Sequence, residues 1–211
     1  MSASTKPLSG VRVADFTWIG NRSGYFADRN SSKRSVTIDM KQPEGQALAR
    51  RLIARSDVVA NNFTPGTMEK FGLGYDAVRA IREDIVYISM SMQGSSGPEH
   101  KYLGYGLTIG ALTSMQYLSG LPDREPAGTG TNFPDHIPNP CHAAFAILAA
   151  LRHRRRTGQG QLIDMAQTEP TISVLGPAVM QWTANGEIIE RRGNQHVAGA
   201  PHGVYPCTGD D

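Results

Sequence analysis

The 211-residue chain carries 21 Lys and Arg against 19 Asp and Glu, with 39% hydrophobic and 19% charged residues. This balance is typical of a globular protein, and a net charge of +2 predicts neither a nucleic-acid partner nor a membrane surface. Two cysteines, Cys141 and Cys207, are too few and too far apart to predict a disulfide framework or a metal site. The polar start and the lack of a long apolar run predict a cytoplasmic protein without a signal peptide or membrane span.

The N-terminal half alternates β-prone and helix-prone segments. Runs of apolar and β-branched residues predict four strands, over residues 11–16, 35–40, 57–61 and 85–92. Pro43 and Glu44 suit the first turn of a helix, because proline loses no required donor there and an acid complements the helix dipole. A short helix is predicted over residues 75–81. Strands alternating with helices predict an α/β fold, a Rossmann-like parallel sheet with flanking helices on both faces.

The C-terminal half is predicted to be mainly helical. Helices are expected over residues 107–118, 141–156 and 168–184, with a strand over 161–165. The helix over 141–156 is rich in alanine, which permits close packing, and it is expected to be buried, with Phe145, Ile147, Leu148 and Leu151 filling the core. Gly158 ends that helix in the usual C-terminal role of glycine.

Two loops follow predicted strands directly. They are residues 62–66 (NFTPG) and 93–98 (QGSSGP). Open parallel sheets bind ligands at the carboxyl ends of their strands, so both loops are placed for binding. Ordinary turn chemistry also explains their Gly and Pro residues.

Four motifs in order along the chain resemble one enzyme family. They are SSKRSVTIDMKQPEGQALARRLIARSDVVANNFTPGTMEKFGLGYDAVRA, IVYISMSMQGSSGP, FPDHIPNPCHAAFAILAALRHRRRTGQGQLIDMA and RRGNQHVAGAPHGVYPCTGDD. Together they resemble the class III CoA transferases, the CaiB/BaiF family that includes formyl-CoA transferase and carnitine CoA-transferase. The resemblance implies the large domain of a two-domain, interlocked CoA transferase, a homodimer or a heteromer with a related subunit. It also implies that coenzyme A or acyl-CoA is a substrate, with no cofactor bound permanently.

The chain departs from the family pattern at two places. Family members follow the first strand with a helix and a second strand, whereas here Gly20 runs straight into Asn21, so a segment after residue 20 is expected to be missing. Relatives are also roughly twice as long, consistent with a second domain. Residues 1–184 are therefore predicted to form the Rossmann-like CoA-binding large domain. Residues 185–211 are predicted to be a linker and the start of a smaller domain whose remainder is absent.

Asp135 matches the nucleophile of the family. The resemblance implies that its carboxylate attacks an acyl-CoA thioester, forms an aspartyl anhydride and then an aspartyl-CoA thioester, and passes CoA to a small carboxylic acid. Free N–H groups and the dipole of the helix that follows are expected to keep Asp135 ionised. From residue type alone, a simpler role stays open: Asp135 caps the helix or a turn before Pro138.

Weaker roles are implied for residues that match the family's CoA-binding segments. Contacts with CoA are expected from Asn62, Phe63, Met68, Lys70 and Lys101. The two lysines could meet a phosphate as point charges, although a solvated surface lysine is the commoner case. The family commonly has arginine at the position of Thr64, which removes one expected contact.

Two other functions remain open at this point. An α-methylacyl-CoA racemase shares the fold and the aspartate but needs a second acid or base, a histidine in the segment that here reads LGYGLTIGAL. Tyr105 stands at that position, and no histidine occurs between Lys101 and Leu121, which disfavours racemisation. A non-catalytic subunit of a heteromeric CoA transferase is the second alternative.

The basic run RHRRR at 152–156 is expected to be mainly solvated, at the C-terminal end of its helix.

Overall fold

The computed structural model describes residues 6–17 and 24–209 of the protein. Contacts divide the chain into two units: the first contains the chain up to Leu103 together with His142–Ala166, and the second contains Gly104–Cys141 and the chain from Gln167 onward. The junction after Gly20, where a missing segment is predicted, lies outside the described residues. The division into a large domain over 1–184 and a linker over 185–211 stays a prediction.

The first unit is built on a parallel sheet. Its four strands are β1 Val13–Asp15, β2 Val58–Asn61, β3 Val86–Ser89 and β4 Gln161–Asp164. The strands follow one another in the order β1-β2-β3-β4, and each neighbouring pair is parallel. Asn61 lies opposite Ser89, and Ser89 lies opposite Asp164, so these strands end side by side at one edge. The predicted parallel sheet is confirmed.

Nine helices are present in the described part of the chain. They are α1 Gly24–Arg29, α2 Pro43–Ile53, α3 Thr67–Lys70, α4 Tyr75–Ile81, α5 Gly106–Leu112, α6 Phe133–His136, α7 Pro138–Thr157, α8 Thr168–Val174 and α9 Gly176–Asn185. The helices predicted to begin at Pro43 and to cover 75–81 are confirmed. The helix predicted over 168–184 is interrupted at Leu175, because Pro177 in the first turn of α9 cannot continue α8. Among the described residues no helix has the length and apolar character needed to cross a bilayer.

Alternate side chains of β2 and β3 point to opposite faces of the sheet. Val59 and Tyr87 pack with α2 and α4 on one face. Val58, Val86 and Ile88 pack with α7 on the other face. Full burial of an aliphatic side chain contributes about 1.5–3 kcal/mol, so these strands are a major source of stability. Helices on both faces were predicted and are confirmed.

The strand predicted over residues 35–40 is wrong. This segment is irregular, and Val36 in its middle is 61% exposed. Its alternation of apolar and polar residues favours a strand, but β-propensity acts only where a neighbouring strand supplies hydrogen bonds and packing. Among the described residues, β1 pairs with β2 alone, and residues 35–40 pair with no strand.

The helix predicted to be buried, α7, is exposed along one side. Ala143 and Ala150, seven residues apart, are buried against the sheet. Phe145 is 76% exposed and Leu148 is 47% exposed, so the expectation that they fill the core is wrong. The small side chains of Ala143 and Ala150 let α7 approach the sheet closely, and Ile147 and Leu151 pack against the core on the same side, as predicted. Phe145 and Leu148 lie on the other side of the helix.

An ion-pair network closes the amino end of the sheet. The Asp57 carboxylate accepts hydrogen bonds from the Arg12 main-chain N–H at 2.8 Å, from Arg82 at 2.8 Å and from Arg154 at 3.0 Å. Arg82 also pairs with Asp84 at 2.9 Å. Burial by itself raises the pKa of Asp57, but the Arg12 and Arg154 hydrogen bonds and the two guanidinium charges hold that pKa below its usual value. Arg154 of the basic run is therefore a structural residue and not a solvated one.

In the second unit, Arg191 joins separate stretches of chain. Its guanidinium donates to the carbonyl oxygens of Tyr117 at 3.0 Å, Arg124 at 3.2 Å and Leu121 at 3.4 Å. It also lies 4.7 Å from the centre of the Tyr117 ring, and the Tyr117 hydroxyl donates to Glu190. These contacts hold the loop after α5 against the segment after α9.

We predict that Asp57→Asn lowers the free energy of unfolding by about 1–3 kcal/mol at pH 7, because it removes the anion that Arg82 and Arg154 share and leaves only Asp84 to pair with them. The folded pKa of Asp57 is lowered, so its stabilisation is present above about pH 3.8 and is lost as the pH falls through the folded pKa. Urea unfolding from pH 7 to pH 3 measures both effects. Asp28→Asn is the control, since that carboxylate is 71% exposed and pairs with the adjacent Arg29. Equal stability of Asp57→Asn and the wild type at pH 7 would contradict the account.

Candidate functional site

Asp135 lies in α6, in the second unit. Asn132 precedes this short helix, and the main-chain N–H of Asp135 donates to the Asn132 carbonyl oxygen at 2.9 Å. Pro134, next to Asp135, is buried, and the Asp135 side chain is half-buried. Helices α5, α6 and α8 contact one another, so Asp135 sits on a packed element and not on a free loop.

The Asp135 carboxylate is held by a residue far away in the sequence. The main-chain N–H of Gly106, the first residue of α5, donates to Asp135 Oδ2 at 2.9 Å. A Cβ atom on residue 106 would lie 2.8 Å from Asp135 Oδ2 and 2.8 Å from the Asn132 Cβ atom. Such distances are too short for any side chain, so glycine at 106 is what lets α5 approach the carboxylate this closely.

The surroundings of Asp135 differ from those expected from the sequence. Burial raises the pKa of the Asp135 carboxyl above its ordinary value, and the Gly106 N–H opposes this only in part. No cation among the described residues contributes to the pKa. Among the described residues, the one hydrogen bond to this partly desolvated carboxylate comes from α5 and not from the helix that follows Asp135.

The capping role considered for Asp135 takes a different form in the structure. Among the described residues, the carboxylate accepts its hydrogen bond from Gly106, 29 positions earlier, and not from its own turn. No side chain caps α6. A raised pKa in a partly buried carboxyl group is a feature of functional sites more often than of surface caps.

The loop at 62–66 follows β2 and is fixed by a buried asparagine. Asn61 donates to the Ile88 carbonyl oxygen at 3.3 Å, and its Oδ1 accepts from the Phe63 N–H at 3.3 Å. Asn62 and Phe63 are half-buried, and Phe63 packs against the core on the α2 and α4 side of the sheet. The loop therefore leaves the carboxyl edge of the sheet in a defined conformation.

The loop at 93–98 follows β3 and is held by Asp164, the last residue of β4. The Ser95 N–H lies 3.1 and 3.2 Å from the two carboxylate oxygens, and the Ser95 hydroxyl donates at 2.9 Å. Gly94 has φ +81°, which suits glycine and allows the turn. Sequence reasoning missed this Ser95–Asp164 contact, because the two residues are 69 positions apart and neither pattern is distinctive alone.

The predicted CoA contacts lie in the first unit, whereas Asp135 lies in the second. Met68 is buried in the core with Leu73 and Val78, so its side chain contributes to packing. Lys70, at the end of α3, and Lys101, beyond the loop at 93–98, are exposed. These positions stay predictions for CoA binding.

Within the described residues, no cluster of three or more His, Cys, Asp or Glu could hold a metal ion.

The model of CoA-transferase family III matches residues 8–211. The chain belongs to this family. It is 36% identical over 177 residues to the succinyl-CoA–D-citramalate CoA-transferase of Chloroflexus aurantiacus, which covers 84% of this chain and 44% of the relative. It is 36% identical over 175 residues to the alpha subunit of succinyl-CoA–L-malate CoA-transferase from the same species, covering 82% and 41%.

A solved structure gives the same result for the fold. The crystal structure of a CAIB/BAIF family protein from Brucella suis matches with a TM-score of 0.76 and 39% identity, over 80% of this chain and 44% of that one. The resemblance to the CaiB/BaiF family is therefore confirmed. The chain spans less than half the length of these relatives.

We predict that Asp135→Asn leaves the free energy of unfolding at pH 7 unchanged or raises it. Asparagine can still accept from Gly106 but carries no charge into the partly buried site. The folded pKa of Asp135 is raised, so the wild type loses stability as the pH rises from about 3.8 through the folded pKa. The difference between variant and wild type should accordingly shrink on acidification.

Urea unfolding of both proteins at several pH values between 7.5 and 4 measures this difference. Asp123→Asn serves as the control, because Asp123 is an exposed carboxylate of the same unit. A variant that is less stable than the wild type at pH 7, with a gap that narrows on acidification, would show that Asp135 is a stabilising cap.

Proposed function

We propose that the protein moves CoA from an acyl-CoA donor to a carboxylic acid acceptor, with Asp135 as the covalent nucleophile. The observation that carries this proposal is the partly desolvated Asp135 carboxylate held by the Gly106 N–H, in a chain of CoA-transferase family III. A carboxylate can divide the transfer between a thioester and a free acid into easier steps.

The proposed reaction has two covalent intermediates. Asp135 attacks the thioester carbonyl carbon, the C–S bond breaks, and CoA thiolate leaves behind an aspartyl acyl anhydride. The thiolate attacks Cγ of Asp135, the bond from Cγ to the bridging oxygen breaks, and the donor acid leaves with that oxygen. The acceptor carboxylate then attacks Cγ of the aspartyl-CoA thioester and expels thiolate. Finally the thiolate attacks the acceptor carbonyl carbon, which gives the new CoA ester and returns an Asp135 carboxylate.

The environment of Asp135 suits this chemistry. Partial burial leaves the carboxylate less solvated, so its attacking oxygen is more reactive than that of an exposed aspartate. A fixed α6 also keeps the carboxyl group in one place while its bonds change. Exclusion of bulk water would protect the anhydride and the thioester from hydrolysis.

The CoA site is proposed at the carboxyl edge of the sheet in the first unit. Asn62, Phe63, Met68 and Lys70 belong to the segment after β2, and Lys101 follows the loop after β3. The bond from the Phe63 N–H to Asn61 fixes the main chain of this segment, and we expect Asn62 and Phe63 to contact CoA there, while Met68 supports the segment from the core. The exposed lysines can approach phosphate groups as point charges.

For the donor and acceptor, we propose succinyl-CoA and a dicarboxylic acid. The names of both relatives described above include succinyl-CoA. The other acids in those names, citramalate and malate, are hydroxy dicarboxylic acids. CoA is then a substrate and not a resident cofactor.

We further propose a cytoplasmic enzyme that works as an interlocked homodimer or as a heteromer with a related subunit, since one relative is an alpha subunit.

The central prediction concerns an adduct on Asp135. Incubation of the full-length enzyme with succinyl-CoA, followed by hydroxylamine or borohydride trapping and peptide mass analysis, should find the modification on Asp135. Asp135→Ala should lower turnover by at least about 1,000-fold, because it removes the covalent route. Asp123→Asn is the matched control and should retain both adduct and turnover. The absence of an adduct, together with normal turnover of Asp135→Ala, would refute the mechanism.

The same preparation separates the alternatives. A racemase-like enzyme would exchange the α-hydrogen of an acyl-CoA with deuterium from solvent in the absence of any acceptor acid. We expect no such exchange, since Tyr105, which precedes Gly106, stands where that chemistry needs a histidine. A non-catalytic subunit would form no adduct even in the presence of its partner.

A further inference from the structure

We propose that the Gly106 main-chain N–H is the oxyanion donor for the steps that take place at Asp135, and that Oδ1 is the attacking oxygen. This inference rests on the proposed function and assigns separate roles to the two carboxylate oxygens. Oδ2, which Gly106 holds, remains a carbonyl oxygen in both intermediates.

The geometry distinguishes the two oxygens. The Gly106 nitrogen lies 2.9 Å from Oδ2, within the range of about 2.7–3.1 Å expected of an oxyanion donor. Among the described residues, Oδ1 has no hydrogen-bond partner. The main chain of Gly106 packs directly against Oδ2, which leaves Oδ1 as the oxygen that an acyl carbon can approach, so we assign the attack to Oδ1.

Two of the four additions in the cycle place negative charge on an oxygen of Asp135. These are the attack of CoA thiolate on Cγ of the anhydride and the attack of the acceptor carboxylate on Cγ of the thioester. In each, the electron pair of the C=O bond moves onto Oδ2 and returns when the leaving group departs, the donor acid in the first case and CoA thiolate in the second. The Gly106 N–H faces that oxygen throughout.

The donor would stabilise the transition state more than the resting enzyme. In the free carboxylate the charge is shared by two oxygens, whereas in the tetrahedral intermediate a full charge lies on Oδ2. The hydrogen bond from Gly106 is therefore stronger when the barrier is crossed, which is the condition for acceleration. A neutral main-chain donor achieves this without the strong ground-state attraction that a cation would exert.

The missing side chain at Gly106 lets its main-chain N–H reach the Asp135 carboxyl group. A Cβ atom at this position would meet the Asp135 Oδ2 and Cγ atoms at 2.8 and 2.9 Å. The absence of a side chain thus allows direct contact between the main chain of α5 and the reacting carboxyl group.

A change of one main-chain atom separates the donor from the packing. Replacement of Gly106 by glycolic acid, introduced as an α-hydroxy acid, exchanges the main-chain N–H for an ester oxygen. It adds no Cβ atom, so α5 can still approach the Asp135 carboxylate closely. The same replacement at the exposed Gly130, where a Cβ atom would meet open space, is the control.

Rapid-quench measurement of aspartyl-CoA thioester formation on the full-length enzyme tests the inference. Loss of one oxyanion donor costs about 100- to 1,000-fold, so the protein with glycolic acid at 106 should form the thioester at least about 100-fold more slowly than the wild type. Equal rates in these two proteins would overturn the assignment, while an adduct in the wild type would still support the proposed function. A wild type that forms no Asp135 adduct would overturn both.

A spectroscopic measurement on the unaltered protein keeps the test independent of how the altered protein folds. Infrared difference spectra of the wild-type aspartyl-CoA thioester, with ¹³C-labelled aspartate, report the stretching frequency of the Asp135 carbonyl. A hydrogen bond from Gly106 should lower this frequency relative to a model thioester in an apolar solvent. A frequency equal to that of the model compound would contradict the assignment.

Discussion

The contact between the Gly106 N–H and the Asp135 carboxylate is the interaction on which the proposed chemistry depends. It joins α5 to α6 and allows no side chain at position 106. Burial raises the pKa of Asp135 while the single donor lowers it, so the carboxyl group lies between a stabilised surface anion and a neutral buried acid. That intermediate state suits a nucleophile that must gain and lose acyl groups repeatedly.

The first unit supplies the rigid framework for the proposed CoA site. Its central strands β2 and β3 are buried on both faces, and the network around Asp57 ties Arg12, Arg82 and Arg154 together at the amino ends of the strands. The loops at the opposite, carboxyl edge are held by Asn61 and by Asp164. The ion-pair network and the proposed CoA site thus lie at opposite ends of the same strands, and the carboxyl end is where open parallel sheets usually bind ligands.

Much of the first unit could be predicted from local patterns, since its strands and the helices starting at Pro43 and Tyr75 carry strong signals of their own. The segment at 35–40 could not, because a β-prone run needs a neighbour that the sequence does not reveal. The exposed side of α7 was missed because composition does not say which stripe faces the sheet. Asp135 was identified through family motifs, and its partner Gly106 was not, because contacts between distant residues leave no local pattern.

The fate of oxygen atoms tests the covalent role of Asp135 most directly. In the proposed sequence, the acceptor acid bonds to Cγ of Asp135 and leaves one of its own oxygens there when thiolate attacks the acceptor carbonyl carbon. After a single turnover with an acceptor labelled with oxygen-18 in its carboxylate, mass analysis of the Asp135 peptide should find one labelled oxygen. An unlabelled Asp135 in an enzyme that has turned over would contradict the account.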